Sequence, residues 1–191
     1  MARPRDPSID VRVIESCVEL LDEVGRAGLT RARIAERAGV SLPAVNRRFA
    51  GVDEIVLAIS RTPPRPAPGA PSLDDATSLR DFLTRSLVRT ALSFAAGPVR
   101  RPAAELLAVA AGDELVDDAF QETLDRVREV GRGWVEHARA AGEVRLDVDA
   151  EALLDAAAGA AYYRLLWRGE ALDTDDAARL VDLLLLGAAP R

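Results

Sequence analysis

The chain has 191 residues, of which 49% are hydrophobic, 29% are charged and 4% are aromatic. This length allows one domain or two small ones, and the apolar fraction excludes a disordered low-complexity chain. The single cysteine, Cys17, excludes an internal disulfide and a thiolate metal cage.

The formal net charge is −6, from 25 basic and 31 acidic residues, which by itself argues against a nucleic-acid partner. The distribution of charge argues otherwise, because the segment from Arg31 to Arg48 holds five arginines against one acid, Glu36. An acidic chain with one basic patch repels phosphate everywhere except at that patch.

The ends of the chain show no targeting or membrane signal. Residues Met1–Ser8 lack the apolar stretch of a secretory signal, and the apolar run Leu180–Ala189 is too short to span a bilayer. We therefore expect a soluble cytoplasmic protein with no membrane partner.

Apolar periodicity predicts four helices in the first sixty residues. Thr30 and Ser41 are suitable N-caps for two short helices, and Gly39 supplies a positive φ in the turn between them. The predicted bounds in chain order are Ile9–Val24, Thr30 to Arg37, Leu42 to Arg48, and a helix that opens at Asp53 and Glu54.

Arg61–Pro71 has five prolines in eleven residues, which predicts an extended linker or a long loop. Beyond it, periodicity predicts five further helices, which begin at Ser72, Ala103, Glu114, Asp149 and Thr174. No segment alternates as a half-buried strand does. The predicted fold class is therefore all-α, with about nine helices.

Two short helices joined by a glycine turn, with longer helices before and after, make a helix-turn-helix, whose second helix lies in the major groove of DNA. In the predicted second helix, Val45 and Phe49 point inward and leave the polar face outward. An ordinary helical hairpin with a solvated basic face fits the spacing equally well. The candidate DNA-binding residues are Thr30, Arg31, Arg33, Ser41, Leu42, Pro43, Ala44, Asn46, Arg47 and Arg48.

The chemistry of these residues suits duplex DNA. Asn46 can pair with adenine and Arg47 with guanine, and Thr30 and Ser41 can donate hydrogen bonds to phosphates. Replacing Arg47 by alanine should therefore change the preferred DNA sequence. Replacing Arg31 should weaken binding to all sequences alike and flatten the salt dependence.

The segment Leu29–Ser41, LTRARIAERAGVS, closely resembles the N-terminal region of the tetracycline-repressor (TetR) family of bacterial transcription regulators, and the resemblance runs from about Ile14 to Ile59. It implies a helix-turn-helix DNA-binding domain at residues 1–60. After the linker or loop at 61–71, it implies a helical domain at 72–191 that dimerises and holds a small effector. The family has tyrosine and lysine where this chain has Asn46 and Val52, so the resemblance also implies fewer phosphate contacts.

The predicted helices Asp149–Trp167 and Thr174–Leu186 are apolar nearly all round and need cover on several sides. They could be central to the core of one chain, or two copies could pack them as a four-helix interface. The resemblance favours the homodimer. Its twofold symmetry predicts a palindromic operator with half-sites roughly 34–36 Å apart.

Aromatic and polar side chains in the second half predict a pocket for an unknown small-molecule effector. The alternative for each of them is an ordinary place in the core. The candidates are Trp134, His137, Tyr162, Tyr163 and Trp167.

The sequence offers little for catalysis, since its one histidine, His137, lies 120 positions from Cys17 and no glycine-rich phosphate loop is present. We predict no enzyme, no catalytic residue, no metal site and no cofactor. The predicted function is a dimeric DNA-binding transcriptional regulator, a repressor that a small effector releases from a palindromic operator. The alternative is a dimeric ligand-binding or scaffold protein with a degenerate helix-turn-helix.

Overall fold

The computed structural model describes residues 7–62, 66–95 and 100–188. Within these ranges it has nine α-helices and no strand, which confirms the all-α prediction. No helix there is both long enough and apolar enough to cross a membrane. The helices are α1 Pro7–Val24, α2 Arg31–Arg37, α3 Leu42–Asn46, α4 Val52–Ser60, α5 Leu79–Ala95, α6 Arg100–Ala110, α7 Glu114–Ala140, α8 Ala150–Tyr162 and α9 Thr174–Ala188.

Parts of three predicted segments lie outside the described residues. They are the first six residues of the predicted DNA-binding domain, residues 63–65 of the proline-rich segment, and residues 96–99 and 189–191 of the predicted second domain. The described part of the proline-rich segment, residues 61–62 and 66–71, contains no helix.

Contacts divide the described chain into two compact units. The first contains α1 to α4, α6 and α7 as far as Thr123, and the second contains α5, the rest of α7, α8 and α9. The predicted domains, 1–60 and 72–191, follow chain order and place α6 in the second domain. In the structure α6 packs on α1, so its contacts lie with the first unit.

In the first unit, α1 packs against α2, α4 and α6 and supplies much of the core. The apolar faces of the short helices close onto it, because their buried residues recur at helical spacing. The most deeply buried side chains of this core are Val13, Cys17, Leu21, Ile34, Val45 and Ile55.

The two short helices begin where the sequence predicts. The Thr30 hydroxyl accepts the backbone N–H of Arg33 at 3.2 Å, and the Ser41 hydroxyl accepts that of Ala44 at 3.3 Å. Both bonds satisfy donors that the first turn of a helix leaves open. Gly39 adopts a φ of +62° in the turn between them, as predicted.

The end of α3 differs from the prediction, since the helix stops at Asn46 rather than Arg48. The backbone N–H of Arg48 bonds to the carbonyl of Val45 at 2.9 Å, three residues back, so the last turn is tightened. The segment from Leu42 to Arg48 is therefore a helix of five residues followed by a tight turn.

In the second unit, α5 begins at Leu79, seven residues after the predicted start at Ser72. The hydroxyl of Ser72 accepts the N–H of Asp74 at 3.2 Å and closes a local turn. The capping bond of α5 comes instead from Ser78, whose hydroxyl accepts the N–H of Asp81 at 3.1 Å.

The core of the second unit lies among α5, α8 and α9, with α7 against it. Gly131 lets α7 approach α8 closely, because a Cβ at this position would lie 2.8 Å from a terminal methyl of Leu154. The most buried side chains here include Leu79, Val135, Ala161, Ala177 and Val181.

The predicted helix Asp149–Trp167 is present with a change of winding near its end. Asp149 caps α8, and its carboxylate accepts the N–H of Glu151 at 2.9 Å. After Tyr162 the chain continues as a π-helical turn, Tyr163–Arg168, and Gly169 ends it with a φ of +66°. The predicted helix Thr174–Leu186 is α9, which extends two residues further, to Ala188.

Candidate nucleic-acid interface

The outer face of α3 exposes the side chains that the sequence predicts there. Val45 is fully buried and Phe49 nearly so, which fixes the inward side of this segment. The opposite side exposes a short set of two apolar and two polar side chains, which we call the α3 surface: Leu42, Pro43, Asn46 and Arg47.

The polar ends of Asn46 and Arg47 remain available for a ligand. In the part of the chain that the structure describes, neither side chain makes an ion pair or a hydrogen bond to another residue. An exposed amide beside an exposed guanidinium offers donors and an acceptor to the edges of bases.

The hydroxyls of Thr30 and Ser41 are both exposed at helix starts. Each oxygen accepts the capping bond described above, and its own hydrogen is left to donate outward. Arg33 is also exposed, and one of its Nη atoms donates to the carbonyl of Gly28 at 2.9 Å. These three residues therefore expose hydrogen-bond donors, the type of group that contacts phosphates in protein–DNA complexes.

Arg31 is half-buried and is partly engaged within the protein. Its Nη1 donates to the carbonyl of Ala50 at 2.9 Å and, less closely, to that of Phe49 at 3.4 Å. A guanidinium has five donors, so this contact occupies one edge of the group.

The side chains of two predicted DNA-binding residues are largely shielded from solvent. Ala44 is 7% exposed. The Arg48 side chain is 9% exposed, and its Nε lies 2.7 Å from a carboxylate oxygen of Asp10 in α1. The physical reason is phase, because Arg48 follows the buried Val45 by three residues and so lies on the inward side of the segment.

Other arginines of the basic segment are paired away from the α3 surface. Arg37 lies 2.6 Å from Glu23 and 3.2 Å from Glu19, which links α2 to α1. The hydrogen bond from Arg37 lowers the pKa of the Glu23 carboxyl. Arg26, which precedes that segment, pairs with Asp53 in the same unit. Of the five arginines of the segment, Arg37 and Arg48 are held in ion pairs with acids of α1, whereas Arg31, Arg33 and Arg47 form no ion pair within the described chain.

An open depression of about 330 Å³ lies along α7 in the second unit. It is lined by Val130, Gly133, Trp134 and His137. Trp134 stacks on Phe82 at 5.7 Å between ring centroids, and the ring of His137 meets that of Trp134 edge-on at 6.1 Å. Helical spacing from Trp134 and His137 would have pointed to Val130 and Gly133.

The three other candidate effector residues do not line this depression. The Tyr162 ring meets that of Phe94 edge-on at 6.2 Å between centroids, and burial raises the pKa of its hydroxyl. Tyr163 is 58% exposed and Trp167 is 79% exposed, so neither belongs to an enclosed cavity of this chain.

Apolar residues are exposed beside charged ones on α8, on the π-helical turn after it and on α9. They are Gly159 in α8, Tyr163 in the turn, and Leu183 and Leu186 in α9, of which Leu186 is 75% exposed. Aliphatic and aromatic groups this exposed are typical of surfaces that meet another protein. We call these four residues the α8–α9 face.

Among residues 7–62, 66–95 and 100–188, no group of three or more His, Cys, Asp or Glu side chains is placed to hold a metal ion. The lone thiol, Cys17, lies in the core of the first unit.

Comparison with known proteins places both halves of the chain in one family. Residues 13–59 match the family described as bacterial regulatory proteins, tetR family. Residues 73–184 match the tetracyclin repressor-like C-terminal domain. The second match alone covers more than half of the chain.

Individual relatives agree with these matches. YdeS, an HTH-type transcriptional regulator of Bacillus subtilis strain 168, is 26% identical over 173 residues, which cover 88% of this chain and 83% of YdeS. The TetR family transcription regulator SCO0332 is 28% identical with a TM-score of 0.61, covering 95% of this chain and 99% of that one. A TetR transcription regulator from Haloarcula marismortui has the same fold at 18% identity, with a TM-score of 0.73 over 97% of this chain and all of that one. The chain belongs to the tetracycline-repressor (TetR) family of transcriptional regulators.

Proposed function

We propose that this regulator binds a palindromic operator as a homodimer, with α3 of each copy in the major groove, and that a small effector releases it. The single observation that carries the proposal is the α3 surface, where the side chains of Asn46 and Arg47 are exposed and unpartnered within the described chain. Unpaired donors on the outer side of a short helix are suited to base edges.

Each member of the surface has a base-pair feature to meet. The Asn46 amide can bond to both N6 and N7 of adenine, and the Arg47 guanidinium can bond to O6 and N7 of guanine. Leu42 and Pro43 offer apolar contact to thymine methyl groups. Thr30, Ser41 and Arg33 then contact phosphates and set the register. We leave Ala44 and Arg48 out of this surface because their side chains are buried.

The α8–α9 face supports the homodimer. Its exposed Tyr163, Leu183 and Leu186 gain from removal from water, and Gly159 lets a second helix approach closely. An interface that holds a permanent dimer buries roughly 2,000 Å² or more and is core-like. A twofold dimer reads two copies of one half-site, which is why we propose a palindrome.

The depression at Trp134 and His137 supports an effector site. Its volume of about 330 Å³ lies at the small end of ligand sites, and its lining is mainly apolar with one imidazole. We propose an apolar or aromatic effector of modest size. By linkage, an effector that weakens operator binding must itself be bound more weakly by the operator-bound protein, to the same factor.

The DNA-binding proposal is tested by selection from a random pool of labelled duplexes. We expect the chain to enrich a palindrome and Arg47→Ala to relax the preference at one base pair of each half-site, with a cost of about 1–3 kcal/mol. Arg61→Ala, which removes an exposed arginine that follows α4 and lies outside the α3 surface, is the matched control and should enrich the parent palindrome. No enrichment by a folded dimer would favour the alternative scaffold function.

The effector site is tested with the fluorescent probe 1-anilinonaphthalene-8-sulfonate. We expect Trp134→Ala to weaken its binding about tenfold or more, because the ring forms one wall of the depression. Trp167→Ala is the control, since Trp167 does not line the depression. Equal effects of the two variants would show that the probe binds elsewhere and would contradict the proposed effector site on α7.

A further inference from the structure

The C-terminal end of α3 is fastened to α1 by an ion pair that the proposed function does not use. Arg48 Nε lies 2.7 Å from Asp10 Oδ1, and Arg48 Nη1 donates to the carbonyl of Ala44 at 3.2 Å. The Arg48 side chain is 9% exposed and that of Asp10 is 31% exposed. Removal of either partner would leave the other charge, which is largely shielded from water, without compensation.

A second guanidinium holds the same end of the segment. Arg31, the first residue of α2, donates to the carbonyls of Phe49 and Ala50, which follow α3 directly. A helix of five residues has little stability of its own, so its direction is set by tertiary contacts. Among these contacts are the buried Val45 and Phe49 and the two arginines.

From this arrangement we propose that Asp10 and Arg48 are positioning residues for operator recognition. The pair fixes the angle at which α3 presents Asn46 and Arg47, and Arg48 makes no phosphate contact. This inference rests on the proposed function, because it concerns how the same surface is aimed. It assigns a recognition role to Asp10, a residue 38 positions before Arg48 that carries the wrong charge for DNA.

The sign of the Asp10 effect separates this proposal from simple electrostatics. Removal of an acid near a DNA-binding surface reduces repulsion of phosphate and should tighten binding. If the carboxylate instead holds α3 in place, its removal should weaken binding. The two accounts therefore give opposite results for Asp10→Asn.

The experiment measures affinity for the selected palindrome by fluorescence anisotropy from about 50 to 200 mM salt. We expect Asp10→Asn and Arg48→Gln each to weaken binding about tenfold. The double variant should be no weaker than either single one, because both remove one interaction. The slope of log affinity against log salt should stay at the parent value in all three.

Arg33→Gln is the matched control. It removes one exposed arginine beside the same surface, so it should reduce the magnitude of the slope by about 0.9 per half-site. Exchange of the charges, Asp10→Arg with Arg48→Asp, should restore part of the lost affinity. Helix content and dimer mass are recorded for every variant.

Arg48→Lys keeps the proposal testable if Arg48→Gln does not fold. A lysine that touched phosphate would keep both affinity and slope, whereas the ion pair through Nε depends on the shape of arginine, so we expect a loss of affinity. Tighter or unchanged binding by Asp10→Asn, or a reduced slope in Arg48→Gln, overturns the inference while the parent still binds. A parent chain that selects no duplex removes the proposed function and this inference together.

Discussion

The α3 surface and the α8–α9 face are both built from helices, but they expose opposite types of side chain. In α3, the apolar Val45 is buried and the polar Asn46 and Arg47 are exposed. In the turn after α8 and in α9, Tyr163 and Leu186 are exposed although both are apolar enough to be core residues. The first surface offers hydrogen-bonding groups to a partner, and the second offers apolar ones. This difference in exposed chemistry is the reason why we propose two separate binding functions for one all-helical chain.

The two surfaces also differ in what holds them. The five residues of α3 depend on a serine cap and on side chains from other helices. The thirteen residues of α8 begin at an aspartate cap and run through the core of their unit. We expect small local changes to disturb α3 more readily than α8.

The largest expected effect comes from a charge placed on the α8–α9 face, which tests its proposed role in dimerisation. Gly159→Arg should weaken dimerisation at least about 100-fold, since a buried unpaired charge costs several kcal/mol and each ~1.4 kcal/mol is tenfold. A Cβ added at Gly159 points into open space, so a side chain there can extend away from its own protomer and the protomer can still fold. Sedimentation velocity measures the change in mass.

The control for that variant is Gly133→Arg in α7. Gly133 also has open space for a side chain, so the two substitutions change helix propensity and charge alike. We expect Gly133→Arg to remain dimeric. Monomers from both variants, or from neither, would remove the dimer from the α8–α9 face.

A smaller effect sharpens the dependence of the short helices on their caps. Thr30→Ala should lower the free energy of unfolding by about 1 kcal/mol, because the N–H of Arg33 loses its acceptor. Urea unfolding followed by circular dichroism measures it, since both tryptophans lie in the second unit and their fluorescence would miss the first. Thr84→Ala, at a half-buried threonine inside α5 that caps no helix, should change stability by less than about 0.5 kcal/mol. Equal losses would show that the capping bond contributes nothing of its own.

The smallest effect concerns the closed core of the first unit. Burial raises the pKa of the Cys17 thiol to about 12 from 9.0, so we expect no reaction of the folded chain with dithionitrobenzoate at pH 8. The folded thiol keeps its proton above pH 9.0, where the unfolded one loses it. This contribution to stability is therefore intact below pH 9.0 and is lost as the pH rises toward 12. Cys17→Ala should lack that alkaline loss, and rapid labelling of the native chain would contradict the buried assignment.

Local chemistry explains why the helix-turn-helix could be predicted from the sequence. Thr30, Gly39 and Ser41 each act within three or four residues of their own position, through a cap or a positive φ. The predicted start of α5 was wrong because a local signal of the same kind occurs twice in this segment. Both Ser72 and Ser78 accept a nearby N–H, and only the packing of the segment decides which of them opens a helix.

The predicted site residues were harder to place, because their orientation depends on distant partners. The partner of Arg48 is Asp10 in α1, and no local sequence pattern identifies this partner. Helical spacing from the buried Val45 does predict that Arg48 points inward. Tyr163 and Trp167 carry aromatic rings that suit a pocket or an interface equally from sequence. Their exposure in the structure is the information that the sequence lacks.

Because of the π-helical turn at Tyr163–Arg168, the direction of the chain after this stretch depends on the number of residues in it. Each such turn holds about one residue more than an α turn, so the chain leaves it rotated by roughly a quarter of a revolution or more. A chain shorter by one residue here would wind as an ordinary helix and would send the Gly169 bend in another direction. A single deletion among these six positions would therefore redirect the whole C-terminal helix.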